Sequence, residues 1–212
     1  MRNSLGRRSA RFAPRSRILI VCEGKVTEPK YFRDLQNYEQ VRLVEVKIDA
    51  EGGVPKTIVE RAADLKKSAE REARRQRDDF LKYDEVWCVF DIDAHPNVQN
   101  AIQQARDNGI FTAVSNPCFE LWILLHYQDQ FAFLRRDQAQ AECRKHIVGF
   151  EKLIPFEIVH SRYEEALKRA IALEKWQLEQ KRPGGNPSTT VHKLTERIKA
   201  LGREAAVKAL RE

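Results

Sequence analysis

The sequence lacks the features that mark several classes of protein. None of its apolar runs approaches the roughly 18–20 residues that a membrane-spanning helix needs. The run at 18–22 is also too short for the central region of a secretory signal, so we expect no signal peptide. Internal repeats are absent, and only the N-terminus has a biased composition. These absences favour a globular cytoplasmic protein.

Cysteine is scarce as well. The sequence contains four cysteines, Cys22, Cys88, Cys118 and Cys143, and they lie far apart. No pair has the spacing of zinc ligands, which excludes zinc fingers and ribbons. The first three lie in or beside apolar runs, where we expect the buried, reduced thiols of a cytoplasmic protein.

Acidic residues are fewer than basic ones. The 212 residues include 38 Lys and Arg against 31 Asp and Glu, a net charge of +7. Residues 1–17 contain six arginines and no acid, and we interpret them as a flexible basic arm. In this arm Arg7, Arg8 and Arg11 would contact phosphate; a solubilising tail is the alternative. The charge favours an anionic partner such as nucleic acid, although a merely soluble basic protein has the same balance.

Apolar segments of strand length alternate with segments of helical spacing. Strands are predicted at 17–22, 41–48, 85–90 and 110–114, with helices at 27–37, 55–80, 96–108, 115–127, 161–181 and 189–210. This alternation predicts an α/β fold, with a mostly parallel sheet of about four strands and helices on both faces. We expect an α/β core over 18–127 and a mainly helical C-terminal extension over 128–212, packed on the core. Thr27 and Glu28 are expected to begin the first helix, and 182–190 is expected to be a loop.

Carboxylates follow two of the predicted strands. Glu23 comes directly after the first strand, and Asp91 and Asp93 come after the third. The carboxyl ends of parallel strands share one edge of the sheet, where ligands bind. Converging carboxylates repel one another unless some are protonated or a cation lies between them. Oxygen ligands without a Cys or His cluster suit Mg²⁺ or Mn²⁺, which support phosphodiester cleavage or transfer; the alternative is that these acids are turn residues and helix caps.

Five further residues are candidates for the same edge. Glu120 follows the fourth strand and would complete a two-metal site, or else it is a helix-start carboxylate favoured by the helix dipole. Asn116 would orient water or phosphate, or cap the next helix. Gly24 would let the backbone approach a ligand. Lys25 and Lys30 would hold phosphate, or else they are solvated surface lysines.

Two segments carry a resemblance to known families. "ILIVCEGKVTEPKYF" followed by "VWCVFDID" resembles the Toprim domain of topoisomerases, bacterial primases and OLD-family nucleases. The chain resembles the RloB-like family more closely, through "CEGKVTEPKYF", "VFDIDAH", "SNPCFELWILLHY" and "GGNPSTTVHKL", from residue 18 to about 194. The Toprim pattern implies that Glu23 is a general acid or base facing the metal and that Asp91 and Asp93 are metal ligands. The RloB-like pattern implies an association with phage-defence and restriction loci, often beside an AAA-type ATPase partner.

The predicted activity follows from comparing what each kind of Toprim enzyme needs. A topoisomerase would need a tyrosine nucleophile on a second large domain, and such a primase would need a zinc module. A nuclease needs only metal, water and a basic groove. We therefore predict a Mg²⁺- or Mn²⁺-dependent nuclease or phosphotransfer enzyme, with DNA, RNA, tRNA or a nucleotide as substrate. The alternatives are a non-catalytic Toprim-like module that binds a nucleotide or metal and signals to the ATPase, and a structural DNA-binding subunit.

Overall fold

A computed structural model describes residues 16–41, 44–48, 54–92, 97–150 and 154–209. The elements in chain order are β1 (Ile18–Cys22), α1 (Thr27–Tyr38), β2 (Val44–Ile48), α2 (Pro55–Gln76), β3 (Glu85–Asp91), α3 (Val98–Asp107), β4 (Phe111–Asn116), α4 (Glu120–Leu125), α5 (Arg136–His146), α6 (Phe156–His160), α7 (Tyr163–Glu179), β5 (Ser188–Thr189) and α8 (Val191–Ala209). A short 3-10 helix, Asp79–Leu81, precedes β3.

The predicted α/β class is confirmed. The sheet has the order β2-β1-β3-β4-β5, and its first four strands in that order are parallel. All five residues of β1 are buried, as expected for a parallel strand that is covered on both faces. The prediction of a loop over 182–190 was wrong at Ser188 and Thr189, which pair antiparallel with β4 as the edge strand β5.

Alternating residues of the strands feed two hydrophobic clusters, one on each face. Leu19 and Val21 of β1 pack with the apolar side of α2 and α3. Ile18, Ile20 and Cys22 pack on the opposite face with α1, α4 and the helices that follow. Because one strand supplies both clusters, a single sheet organises the N-terminal and C-terminal parts of the described chain.

The spacing of apolar residues in α1 makes this helix amphipathic. Tyr31, Phe32 and Leu35 repeat at the spacing of one helical face and are fully buried. The rings of Tyr31 and Phe32 contact Phe119 edge to face, which fixes the helix against the sheet. The buried face continues toward the start of the helix and includes Glu28. The buried face of α1 thereby places the Glu28 carboxylate near the carboxyl ends of the strands.

The C-terminal part joins the sheet rather than standing apart from it. The backbone amide of Thr190 donates to the Val114 carbonyl at 2.9 Å, and the Ser115 and Thr189 hydroxyls are hydrogen-bonded at 2.9 Å. Leu194 of α8 belongs to the same hydrophobic cluster as β1. The four cysteines are free and buried, as predicted.

Most of the predicted basic arm and one predicted metal ligand fall outside the part of the chain that the structure describes. Residues 1–15, which include Arg7, Arg8 and Arg11, lie outside the described residues, as does Asp93. Arg17, the last residue of the predicted arm, is held by its backbone amide on the Asp84 carboxylate at 2.7 Å. None of the helices in the described ranges has the length and hydropathy of a membrane span.

Candidate active site

The strand order reverses between β1 and β3. The chain passes from β1 to β2 on one side and then returns to place β3 on the other side of β1. In open parallel sheets the crevice at such a reversal, outside the carboxyl ends of the strands, is where ligands bind. Glu23 comes directly after β1, and Asp91 is the last residue of β3. The structure therefore brings these two predicted residues to the mouth of that crevice.

Glu23 and Asp91 are joined directly. The Glu23 amide extends the sheet by donating to the Val89 carbonyl at 2.9 Å. Its side chain then turns back, and Oε2 accepts a hydrogen bond from the Asp91 amide at 3.1 Å. The bond fixes the direction of the Glu23 carboxylate at the strand tip.

Asp91 is buried at the centre of a group of charges. Its carboxylate Oδ2 accepts a hydrogen bond from the Arg136 guanidinium at 3.0 Å. Burial raises the pKa of Asp91 well above its ordinary value, the charges of Glu28, Glu120 and Glu23 add to the increase, and Arg136 opposes it. We call Glu23, Glu28, Asp91 and Glu120 the acidic cluster.

Glu28 is a member of this cluster that the sequence reasoning did not assign to the site. It lies in the first turn of α1, as predicted, but its side chain is buried. Burial, followed by the charges of Glu120 and Glu23, raises the pKa of Glu28 to about 7. The signal for it was present, since Glu28 precedes Tyr31, Phe32 and Leu35 by three, four and seven residues and so shares their inward face.

Gly24 provides the room for the Glu28 carboxyl group. A Cβ atom placed on Gly24 would lie 2.0 Å from Oε2 of Glu28 and 2.4 Å from its Cδ. The missing side chain thus permits the close approach of Glu28 to the loop after β1. A contact between Gly24 and phosphate stays a prediction.

Glu120, the first residue of α4, completes the acidic cluster. Its Oε1 accepts a hydrogen bond from the Gln140 side chain at 3.4 Å. Burial, the charges of Glu120 and Asp91, and a hydrogen bond with Glu120 raise the pKa of the nearby Cys118 thiol. Glu120 is therefore a neighbour of both Asp91 and Cys118, at the edge where the sequence predicted it.

Arg136 was also missed by the sequence reasoning. It is the first residue of α5 and lies 45 positions beyond Asp91 in the chain. Its local sequence is that of an exposed helix start, so no pattern near it indicated a buried carboxylate as partner. Only packing of α5 against α4 brings it to the sheet edge.

The remaining predicted residues lie around the crevice. Lys25 is exposed, and Lys30 forms an ion pair with Asp34 of the same helix at 2.6 Å. The Asn116 amide donates to the Gly184 carbonyl at 3.0 Å, so it ties β4 to the loop before β5. Phosphate contacts by these residues stay predictions.

The acidic cluster has the donor chemistry of a hard-cation site. Its members offer carboxylate oxygens, which Mg²⁺ and Mn²⁺ prefer. In the described part of the chain, however, no group of three or more His, Cys, Asp or Glu side chains is arranged to hold a metal ion. In this arrangement the positive charge facing Asp91 comes from Arg136, and the raised pKa values of Asp91 and Glu28 favour proton uptake.

Comparison with models of protein families shows which family the chain belongs to. A family model described as RloB-like protein matches residues 18–198. The chain belongs to the RloB-like family. The matched region contains the whole acidic cluster and Arg136, so the crevice lies within the part of this RloB-like chain that defines its family. No curated protein and no solved structure matches the chain.

Proposed function

We propose that this RloB-like chain is a metal-dependent nuclease or phosphotransfer enzyme that acts on nucleic acid at the acidic cluster. One observation carries the proposal. Four carboxylates from three separate segments, Asp91 among them, gather at the reversal of strand order, and burial raises the pKa of two of them, Asp91 and Glu28. Crowded, buried carboxylates with shifted pKa values occur chiefly at functional sites, because the crowding destabilises the fold.

The residues present suit a divalent ion in their donor chemistry. Glu23, Asp91 and Glu120 would hold Mg²⁺ or Mn²⁺, together with Asp93. A bound ion would supply Lewis-acid stabilisation of the phosphate charge and an activated water. Ligation requires ionised carboxylates, so we expect ion binding to release the proton that Asp91 takes up.

The chain's own residues would position and move protons. Glu28, with a pKa of about 7, exists in both protonation states near neutral pH and suits general acid or base work. Glu23 is held in place by the Asp91 amide at 3.1 Å. Arg136 steadies the Asp91 carboxylate and adds positive charge where a phosphate would approach.

Family membership supports the biological part of the proposal. We propose a Toprim-like relationship for the sheet and its acids, and a role in bacterial phage defence with an AAA-type ATPase partner in the cytoplasm. The first part comes from the resemblance of "ILIVCEGKVTEPKYF" and "VWCVFDID" to the Toprim domain, and the second from the resemblance of the whole chain to the RloB-like family. The net charge of +7 agrees with a nucleic-acid partner.

One observation favours a second candidate, the non-catalytic regulatory module. Arg136 contacts Asp91 at 3.0 Å and so supplies a positive charge without any metal. If that ion pair is retained in the working protein, the crevice would bind a nucleotide and signal to a partner without cleaving it. Binding without turnover distinguishes this module from the enzyme.

The deciding experiment measures cleavage of plasmid DNA and single-stranded RNA with Mg²⁺, with Mn²⁺ and with EDTA. Wild type is compared with Asp91→Asn and with Asp79→Asn, a matched control whose carboxylate pairs with Lys82 on the opposite edge of the sheet. We expect Asp91→Asn to lower the cleavage rate by about 100-fold or more, since acid–base and metal-site groups contribute on this order. Equal metal-dependent cleavage by wild type and Asp91→Asn contradicts the enzyme proposal.

A further inference from the structure

An open pocket of about 530 Å³ lies beside the acidic cluster. Its lining includes Phe133, Arg135 and Arg136 from the segment that starts α5, and Asn116 and Asn186 from the two sides of the β4–β5 pair. We call it the arginine pocket. Arg136 belongs to both sites, because it lines the pocket and contacts Asp91 at 3.0 Å.

The walls of the arginine pocket are tied together by side chains. Asn186 bridges to the segment before α5, accepting a hydrogen bond from the Leu134 amide at 2.9 Å and donating to the Leu134 carbonyl at 2.8 Å. Asn116 donates to the Gly184 carbonyl, and the buried Gln177 donates to the Pro187 carbonyl at 2.7 Å. These bonds hold the motifs "SNP" and "GGNP" against each other. The pocket is therefore preformed in the fold.

The arginine pocket is lined by an aromatic ring, two arginines and the carboxylate of Asp137. Phe133 is 70% exposed, a larger fraction than that of Phe80, at 63%. Arg135 is exposed next to it and forms an ion pair with Asp137, with both N···O distances 3.1 Å. The pair is exposed to solvent, where salt screens it, so the phosphate of a bound strand can compete with the Asp137 carboxylate for Arg135.

We propose that the arginine pocket binds a single-stranded segment of nucleic acid, with a base stacked on Phe133 and the adjoining phosphate on Arg135. Single strands suit this arrangement because only an unstacked base exposes its face to a protein ring. Arg136 places a second positive charge between the pocket and Asp91. The proposal rests on the proposed function for its biological purpose, but the binding itself requires neither metal nor cleavage.

The test measures fluorescence anisotropy of labelled oligothymidylate, labelled oligouridylate and a labelled duplex in EDTA, with the full chain. The variants are Phe133→Ala and Arg135→Ala. Their matched controls are Phe80→Ala and Arg75→Ala, which remove a similarly exposed ring and an arginine paired with Glu72, both at the opposite end of the sheet. The altered side chains are exposed, so each variant is expected to fold, and its thermal melt checks this.

We expect Phe133→Ala to weaken single-strand binding by about 5- to 100-fold, the effect of losing one base–aromatic stack. Arg135→Ala should lower the slope of log K against log salt by about 0.7, the value for one lost phosphate contact on a single strand. Asp137→Asn should tighten binding, because it frees Arg135. The two controls should bind as wild type does. The thymidylate and uridylate arms show whether DNA or RNA is preferred.

Two results would overturn the proposal: equal affinity of both pocket variants and wild type, or duplex binding as tight as single-strand binding. Competition by polyglutamate that matches competition by the unlabelled oligonucleotide would also overturn it, because the site would then recognise acidic protein. The outcome is independent of the nuclease test. If Asp91→Asn cleaves like wild type while Phe133→Ala loses binding, the proposed enzymatic function fails and the arginine pocket stands.

Discussion

The backbone amide of Asp91 donates a hydrogen bond to Oε2 of Glu23 at 3.1 Å. This bond connects the first residue after β1 with the last residue of β3, two neighbouring parallel strands. It lies at the reversal of strand order, and it turns a glutamate that would otherwise reach solvent toward the buried Asp91. Three predictions concern the charges and contacts around this bond, and a fourth concerns the wall of the arginine pocket.

Glu28→Gln should change how stability depends on pH. Folding raises the pKa of Glu28 from 4.5 to about 7, so the folded state binds this proton more tightly than the unfolded state does. Proton binding by Glu28 therefore adds to the free energy of unfolding. This contribution is complete below about pH 4.5 and is lost as the pH rises to about 7, a change of about 3 kcal/mol. The free energy of unfolding of Glu28→Gln minus that of wild type should therefore be larger at pH 8 than at pH 4.5, by up to about 3 kcal/mol.

Urea unfolding at the two pH values measures this difference. Glu60→Gln is the control, because Glu60 is an exposed glutamate of α2. The prediction is wrong if Glu28→Gln and Glu60→Gln show the same pH dependence.

Gly24→Ala should displace the Glu28 carboxyl group. The added methyl would lie 2.0 Å from Oε2 of Glu28, so this side chain must move out of its position. We expect a loss of about 1–3 kcal/mol of stability, typical of overpacking, and a weaker pH dependence than that of wild type. The control is Lys25→Ala, at the exposed neighbouring residue of the same loop. Unfolding curves at pH 6 and 8 measure both effects, and an unchanged pH profile in Gly24→Ala would count against the close contact.

Arg136→Ala should destabilise the protein most at high pH. It removes the guanidinium that lies 3.0 Å from the buried Asp91 carboxylate. Because Arg136 is partly exposed, we expect a loss of about 1–2 kcal/mol rather than the larger cost of breaking a fully buried pair. Asp91 becomes neutral as the pH falls, so the loss should shrink at low pH. Arg135→Ala is the control for stability, and an equal effect of the two substitutions at all pH values would contradict the prediction.

Asn186→Ala should loosen the arginine pocket. The substitution removes two hydrogen bonds to Leu134, of 2.9 and 2.8 Å. Leaving the amide and carbonyl of Leu134 without this partner should cost about 1–3 kcal/mol. Asn100→Ala, on the exposed side of α3, should change stability by less than about 0.5 kcal/mol. Thermal unfolding checks both variants, and a neutral Asn186→Ala would show that these bonds do not hold the pocket.

Much of the fold could be predicted because its signals are local. The continuous apolar runs of β1 and β3 and the periodic face of α1 lie within a few residues of one another. Glu23, Asp91 and Glu120 were expected at one edge because parallel strands share their carboxyl ends. The two-residue strand β5 could not be predicted, since "GGNPSTT" has the composition of a loop and its pairing with β4 depends on residues far away in the chain.

The sequence by itself determined the parallel sheet, the buried faces of its helices, and the placement of carboxylates after β1 and β3. The tertiary structure alone decided that Gly24 makes room for the Glu28 carboxyl group, that Arg136 pairs with Asp91, and that Asn186 joins the pocket wall to Leu134. The physical reason is that strand and helix formation follow the periodicity of neighbouring residues. Charge pairs and side-chain bridges depend on which distant segments the packed core brings within hydrogen-bonding distance.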